Sequence, residues 1–146
     1  MIAMVAVVMM MGQASAAAPV VSALAVSPNS GTAKVTDTVT LAITADGAGY
    51  TASAITVNGV DVAASNFQDL GGGAYSVDYV VAEGNSDVAS GAIAASVVLS
   101  DTAGNLNVAY TTVTGNTLVV DAHSPSVTAL AVSPNSGTAK VTDTVT

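Results

Sequence analysis

Residues 33–44 read AKVTDTVTLAIT. From Thr38 onward the side chains alternate: Val39, Leu41 and Ile43 fall on one side, Thr38, Thr40, Ala42 and Thr44 on the other. Side chains along a strand have a period of two, so this pattern specifies a strand with one apolar and one polar face. The stretch sits in a longer passage, ALAVSPNSGTAKVTDTVT at Ala23–Thr40, which recurs letter for letter at Ala129–Thr146, 106 residues later. Upstream, Pro19-Val-Val-Ser-Ala-Leu24 aligns with Pro125-Ser-Val-Thr-Ala-Leu130. A repeating unit therefore starts near Pro19 and ends near Ser124. That period exceeds the roughly 20–50 residues of solenoid repeats and matches a whole domain.

The same alternation runs through the rest of the unit. Ile55-Thr-Val57, Asn58-Gly59 and Val60-Asp-Val62 form a hairpin pattern, because Asn-Gly supplies the two positive φ angles of a type I′ turn. Phe67–Leu70, Gly71-Gly72-Gly73 and Ala74–Val81 make a second. Ala92–Ser100, Asp101–Asn105 and Leu106–Val113 make a third, and Thr117–Asp121 is a last strand. Val39, Leu41, Ile43, Val77, Val81 and Val98 are the expected inward residues. No stretch after the amino-terminal region carries a helical apolar stripe. The expectation is an all-β fold: an antiparallel sandwich of about seven to nine short strands.

Composition narrows the function. The 146 residues carry a net charge of −8, with Lys34 and Lys140 the only basic side chains other than one histidine. Binding to nucleic acid needs cationic groups that displace phosphate counterions, and an anionic lipid surface needs them too; neither is expected as a partner. Cysteine is absent, which excludes disulfides, thiolate metal sites and a cysteine nucleophile. Met1–Met11 is an uncharged apolar run, too short for the roughly 20 residues of a membrane span and suited to a signal-peptide core. Ala14-Ser15-Ala16 and Ala16-Ala17-Ala18 offer small-residue cleavage sites. Residues 1–18 are thus expected to be a signal peptide lacking the usual basic start, which points to a secreted or cell-surface protein with no membrane insertion of the mature domain.

Four motifs, in order, carry a family resemblance. AKVTDTVTLAIT (Ala33–Thr44) resembles the second-strand signature of bacterial immunoglobulin-like repeats, GAYSVDYVV (Gly73–Val81) their central strand, SDTAGN (Ser100–Asn105) their late hairpin, and VDAHSPSV (Val120–Val127) their Asp-to-Pro linker. The linker departs from the family in having Ala-His-Ser, and the antibody-type Cys…Trp…Cys pattern is absent. The resemblance implies an immunoglobulin-like β-sandwich at 19–124, followed at 125–146 by the start of a second repeat. It also implies a structural spacer in a long extracellular adhesin-like protein that supports surface adhesion or biofilm attachment. Its partners would be neighbouring repeats, with a receptor or glycan held by other domains. A contrasting expectation is an accessory carbohydrate- or protein-binding module of a secreted enzyme.

No catalytic, cofactor-binding or metal residue is assigned. Asp121, His123 and Ser124 have the residue types of a hydrolase triad, but a triad is defined by geometry, and neighbours in an extended linker point in alternating directions. The expected role is a polar, Pro-stiffened joint. A lone His123 suits a zinc site poorly. Asp101 and Asn105 flank a turn; the functional alternative is Ca²⁺ held by Asp101, Asp121 or Asp46 at one pole of the sandwich. Gly71-Gly72-Gly73 lacks the lysine and helix of a phosphate loop and reads as a hairpin tip. Tyr75 and Tyr79 share parity with Val77 and are expected in the core, whereas Tyr50 is expected to be the exposed ring.

Residues 127–146 hold only the first strand candidates of their unit, and two strands do not bury a face alone. They are expected to be disordered or to compete with 21–40 for one slot. Deleting 127–146 should leave the melting temperature almost unchanged in calorimetry; a large drop would show that the segment supports the main body.

Overall fold

A computed structural model describes residues 17–133 and 135–146; most of the expected signal peptide, residues 1–16, lies outside the described residues. In chain order the strands are β1 (Val21–Ser27), β2 (Thr32–Lys34), β3 (Thr38–Ala45), β4 (Thr51–Val57), β5 (Val60–Asp61), β6 (Phe67–Gly71), β7 (Ala74–Val80), β8 (Ala95–Ser100) and β9 (Val119–Asp121), with one 3₁₀ turn at Ala64–Asn66. The fold is nearly all-β and sandwich-like. One antiparallel sheet has the order β1-β3-β7-β6, a second has the order β5-β4-β8, and β2 pairs with β9. Among the described residues no helix is long and apolar enough to cross a membrane.

Alternation places the core where the sequence pattern puts it. Val39, Leu41 and Ile43 of β3 are buried, as are Leu24 and Val26 of β1 and Tyr75, Val77 and Tyr79 of β7. They join one cluster with Ile55 and Val57 of β4, Val97 and Leu99 of β8, and Leu118 and Val120. Each such side chain contributes roughly 1.5–3 kcal/mol when fully buried. With five aromatic residues in the whole chain, branched aliphatics supply most of this core.

Three expectations need correction. Val98 does not face inward: in β8 the buried positions are Ala95, Val97 and Leu99. The run Val97-Val98-Leu99 is apolar at both parities, so hydrophobicity alone leaves the face open. Pairing decides it, because Val98 stands opposite the exposed Ala54 beside a bulge in β4. Second, the arrangement is not wholly antiparallel, since β2 and β9 run parallel from Thr32↔Val119 to Lys34↔Asp121. Third, Leu106–Val113 is not a regular hairpin strand. It touches β8 through the bridges Ser100↔Leu106 and Val97↔Tyr110, then crosses to β1 at Leu24↔Val113. The Asn107 side chain continues the ladder there, accepting from the Leu99 amide and donating to the Val97 carbonyl at 3.1 Å.

The two tight hairpins follow their turn residues. Asn58 and Gly59 have φ of 53° and 73°, the pair of positive values a type I′ turn requires. Gly73 is constrained further. Its φ is 86°, its carbonyl accepts the Ala45 amide at 2.7 Å, and a Cβ there would collide with the Ala45 carbonyl oxygen.

The chain enters and leaves this body at opposite poles. At entry the Val20 carbonyl accepts the Asp46 amide at 3.0 Å, just past the end of β3. At exit Asp121 lies beside Lys34, next to the turn that starts β3. The span between them, the length of β3, is about 24 Å at about 3.4 Å per residue.

Among the described residues the second copy of the duplicated passage forms no strand, yet it keeps local contacts of the first copy. The Lys34 amide donates to Asp37 Oδ2 at 2.8 Å and the Lys140 amide to Asp143 Oδ2 at 2.6 Å. Thr36 and Thr142 share positive φ, 79° and 91°. Ser27 pairs with Thr40 in the β1–β3 register, and Ser133 and Thr146 exchange backbone hydrogen bonds of 2.8 and 3.1 Å at the equivalent positions.

Gly73→Ala should lower stability in urea melts by roughly 2–4 kcal/mol, from positive-φ strain added to a steric clash. Gly72→Ala, with positive φ and open space around it, should cost only about 1 kcal/mol. Equal losses would show that the contact with Ala45 carries no weight.

Candidate functional site

The exit pole gathers the polar residues of the linker. Residues 121–125 leave β9 and meet the loop 81–91, which follows β7. That loop is held by Asn85, whose Oδ1 accepts the Ala82 amide at 2.8 Å and the Tyr79 hydroxyl at 2.9 Å. Asn58, a buried polar side chain, donates to the Ser86 carbonyl at 2.8 Å from the neighbouring turn. So fixed, the loop presents Glu83 and Asp87 to the departing chain.

Asp87 Oδ1 accepts the Ala122 amide at 2.8 Å and lies 3.0 Å from His123 Nδ1. Both oxygens of Glu83 accept the Ser124 amide, at 3.2 and 3.1 Å. Asp121 Oδ1 reaches the His123 amide at 3.4 Å. Lys34, Val35, Asp121, His123, Ser124 and Pro125 line a shallow depression of about 470 Å³.

The expected Asp121–His123–Ser124 constellation takes separate partners. The imidazole pairs with Asp87, and the Ser124 amide donates to Glu83. Hydrogen bonding to Asp87 raises the His123 pKa above its ordinary 6.5, helped by the charges of Asp87, Glu83 and Asp121. Amide donation from Ala122 followed by the His123 bond lowers Asp87, and the Ser124 contacts lower Glu83. The His123–Asp87 pair is more than half exposed, where an ion pair contributes little to stability. It holds His123 beside the loop 81–91.

The opposite pole holds the other candidates. Asp46 Oδ1 accepts the Val20 amide at 2.9 Å and the Tyr50 hydroxyl at 3.0 Å. Asp69 caps Gly49 and Gly71 at 2.9 and 2.8 Å. Asp101 Oδ1 accepts the amides of Ala103 and Asn105 at 2.9 and 2.8 Å. These are turn-forming contacts of Asp side chains, and they lower the pKa of Asp46, mainly through Val20, and of Asp101, mainly through Asn105. The three acids weighed for Ca²⁺ are not brought together: Asp121 is at the exit pole and Asp46 at the entry pole. Among the described residues no group of three or more His, Asp or Glu is placed to hold a metal ion.

Tyr50 is corrected as well. It is half-buried and packs on the core, with its ring stacked on Tyr75 at 6.2 Å. Phe67 also stacks on Tyr75, at 5.2 Å. Tyr75 and Tyr79 are in the core as expected, each with its hydroxyl satisfied at the rim by Gly47 or Asn85. Glu83 and Asp87 carried no sequence signal beyond being acids in a Gly-, Ser- and Asn-rich loop.

No family model, no curated protein and no solved structure matches the chain.

The pH dependence of the joint follows from the directions of shift. The raised His123 contributes fully below 6.5 and its contribution is lost as pH rises through its folded-state value. The lowered Asp87 and Glu83 contribute above 3.8 and 4.5 and lose that contribution as pH falls through their folded values. All three act together between about pH 4.5 and 6.5. NMR titration should place His123 above 6.5, and Asp87→Asn should bring it down; an unmoved midpoint would show that the contact is absent in solution.

Proposed function

We propose that this chain is a load-bearing spacer: an immunoglobulin-like repeat of an extracellular bacterial adhesin-like protein, with residues 19–124 as one unit and 125–146 as the start of the next. The observation that carries the reading is mechanical. The chain enters at one pole, leaves at the other, and its second strand lies parallel to its last one.

Tension applied through Pro19 and Ser124 runs along the strands. The hydrogen bonds between β2 and β9 lie across that direction, so they are loaded together rather than one at a time. The Thr117 amide to the Asn29 carbonyl at 2.7 Å and the Val119 amide to the Gly31 carbonyl at 2.9 Å belong to this clamp. On the far side, Val88 and Val120 exchange backbone bonds of 2.9 and 3.0 Å. The last strand is thus held on both edges.

Topology supports the immunoglobulin-like assignment. The order β1-β3-β7-β6 matches the A-B-E-D order of that sandwich and β5-β4-β8 matches its C′-C-F order, while β9 pairs with β2. The 106-residue sequence period supports tandem arrangement, and the signal-like start at 1–18 supports export. The Glu83–Ser124 and Asp87–His123 contacts would set the angle at which one unit follows another. Tyr50, Tyr75 and Phe67 stack on one another instead of forming an open platform, which favours a spacer over a sugar-binding module.

Single-molecule pulling from residues 19 and 124 should give a single unfolding event. The expected length gain is roughly 340 Å, from about 3.6 Å per extended residue less the folded length. Val119→Pro, which removes one clamp hydrogen bond, should lower the unfolding force while a folded spectrum is retained. An unfolding force unchanged by Val119→Pro would remove the load-bearing role from this strand pair.

A further inference from the structure

The duplicated passage supplies a second set of the residues that fill one slot in the fold. Residues 127–140 repeat 21–34, the stretch containing β1 and β2, with a single difference: Thr128 stands where the first copy has Ser22. Ser22 is exposed and uses its hydroxyl on the Thr44 carbonyl, a group that threonine keeps. In the first copy Val21 and Leu24 are 6% and 0% exposed; their counterparts Val127 and Leu130 are 84% and 89% exposed. The same side chains are buried in one copy and open to water in the other.

The slot is well defined. β1 is the end strand of its sheet, held on one edge by β3 in the register Leu24↔Ile43 and Val26↔Leu41. On the other side Val113 bridges Leu24, the Thr114 amide donates to the Leu24 carbonyl at 3.2 Å, and the Tyr110 hydroxyl donates to the Ser22 carbonyl at 3.0 Å. These partners contact backbone or apolar surface, and residues 127–133 present the same backbone and the same apolar positions.

The chain's own second copy does not reach this slot. Val127 would have to sit opposite Ala45 at the entry pole, about 24 Å along β3 from the exit pole. From Asp121 to Val127 six residue steps extend at most about 22 Å, and Ser124 is already tied to Glu83. Insertion therefore joins two chains.

We propose that residues 127–140 act as a second β1–β2 segment that can dock beside β3 and β9 of a second copy of this chain, replacing that copy's own segment. The proposal needs only the duplicated letters and the slot; under the spacer reading the same docking exchanges the first segment of the following unit, and its failure would leave that reading untouched. At low concentration the resident segment wins, being tethered to its own β3 at high effective concentration. Exchange takes over when the resident segment is expelled or chains are crowded. Because the donated and receiving surfaces differ, the joint is heterologous, and successive joints build head-to-tail chains unless two copies close on each other.

The test compares Leu24→Asp with the double variant Leu24→Asp/Leu130→Asp, by sedimentation and circular dichroism across a range of protein concentrations. A carboxylate at position 24 expels the resident strand. The single variant should recover strand structure as oligomers, with a melting midpoint that rises with concentration, while the double variant stays unfolded and monomeric. A single variant that behaves as the double one, or that folds as a monomer, would overturn the proposal. A second comparison keeps the resident segment intact. Wild type unfolded and refolded at high concentration should form oligomers that Leu130→Asp does not; equal oligomer content in the two would also overturn it.

Discussion

The sandwich depends on β3 being clasped on both edges. β1 and β7 pair with its two edges, its apolar face, Val39, Leu41 and Ile43, is buried in the core with residues of β4 and β8, and it lies inside the only four-stranded sheet among the described residues. Branched aliphatic side chains dominate this core, so its stability comes from many modest burials in strict register. A one-residue slip of either neighbour would turn a whole row of side chains toward water. The glycine at position 73 belongs to the same constraint, because it lets the β6–β7 turn close over the end of β3.

From that clasp the mechanical layout follows. β3 separates the two poles, and each terminus is fastened at one of them: Val20 to Asp46 at the entry, Ala122 and Ser124 to Asp87 and Glu83 at the exit. The carboxylates at both ends accept backbone amides. They hold the chain's direction rather than gather around a common ligand. A unit fastened in this way has both chain connections tied to its own loops, one at each pole.

The two copies of one passage separate local from long-range causes within a single molecule. Both fold the Lys-Val-Thr-Asp turn with an Asp carboxylate on the Lys amide, and both bring the equivalent Ser and Thr residues into a paired position. The turn joins residues three apart and the Ser–Thr pairing residues thirteen apart, all within the passage itself. Strand formation occurs in the first copy alone, where β7, β9 and residues 110–114 stand alongside. An isolated two-stranded ribbon is marginal in water.

The sequence by itself determined whatever is written in local pattern: the inward row of β3, the positive-φ turn at Asn58-Gly59, the hairpin at Gly71–Gly73 and the burial of Tyr75 and Tyr79. Period-two alternation and turn chemistry act between near neighbours and need no further context. Tertiary structure decided the rest. The doubly apolar run Val97–Leu99 took its face from pairing with β4, and Tyr50 turned inward because Asp46 and Tyr75 were there to receive it. The parallel pairing of β2 with β9, and the meeting of Glu83 and Asp87 with His123 and Ser124, join segments 36–87 residues apart. No short stretch encodes those contacts; they exist because packing the core brings distant backbone to the same pole.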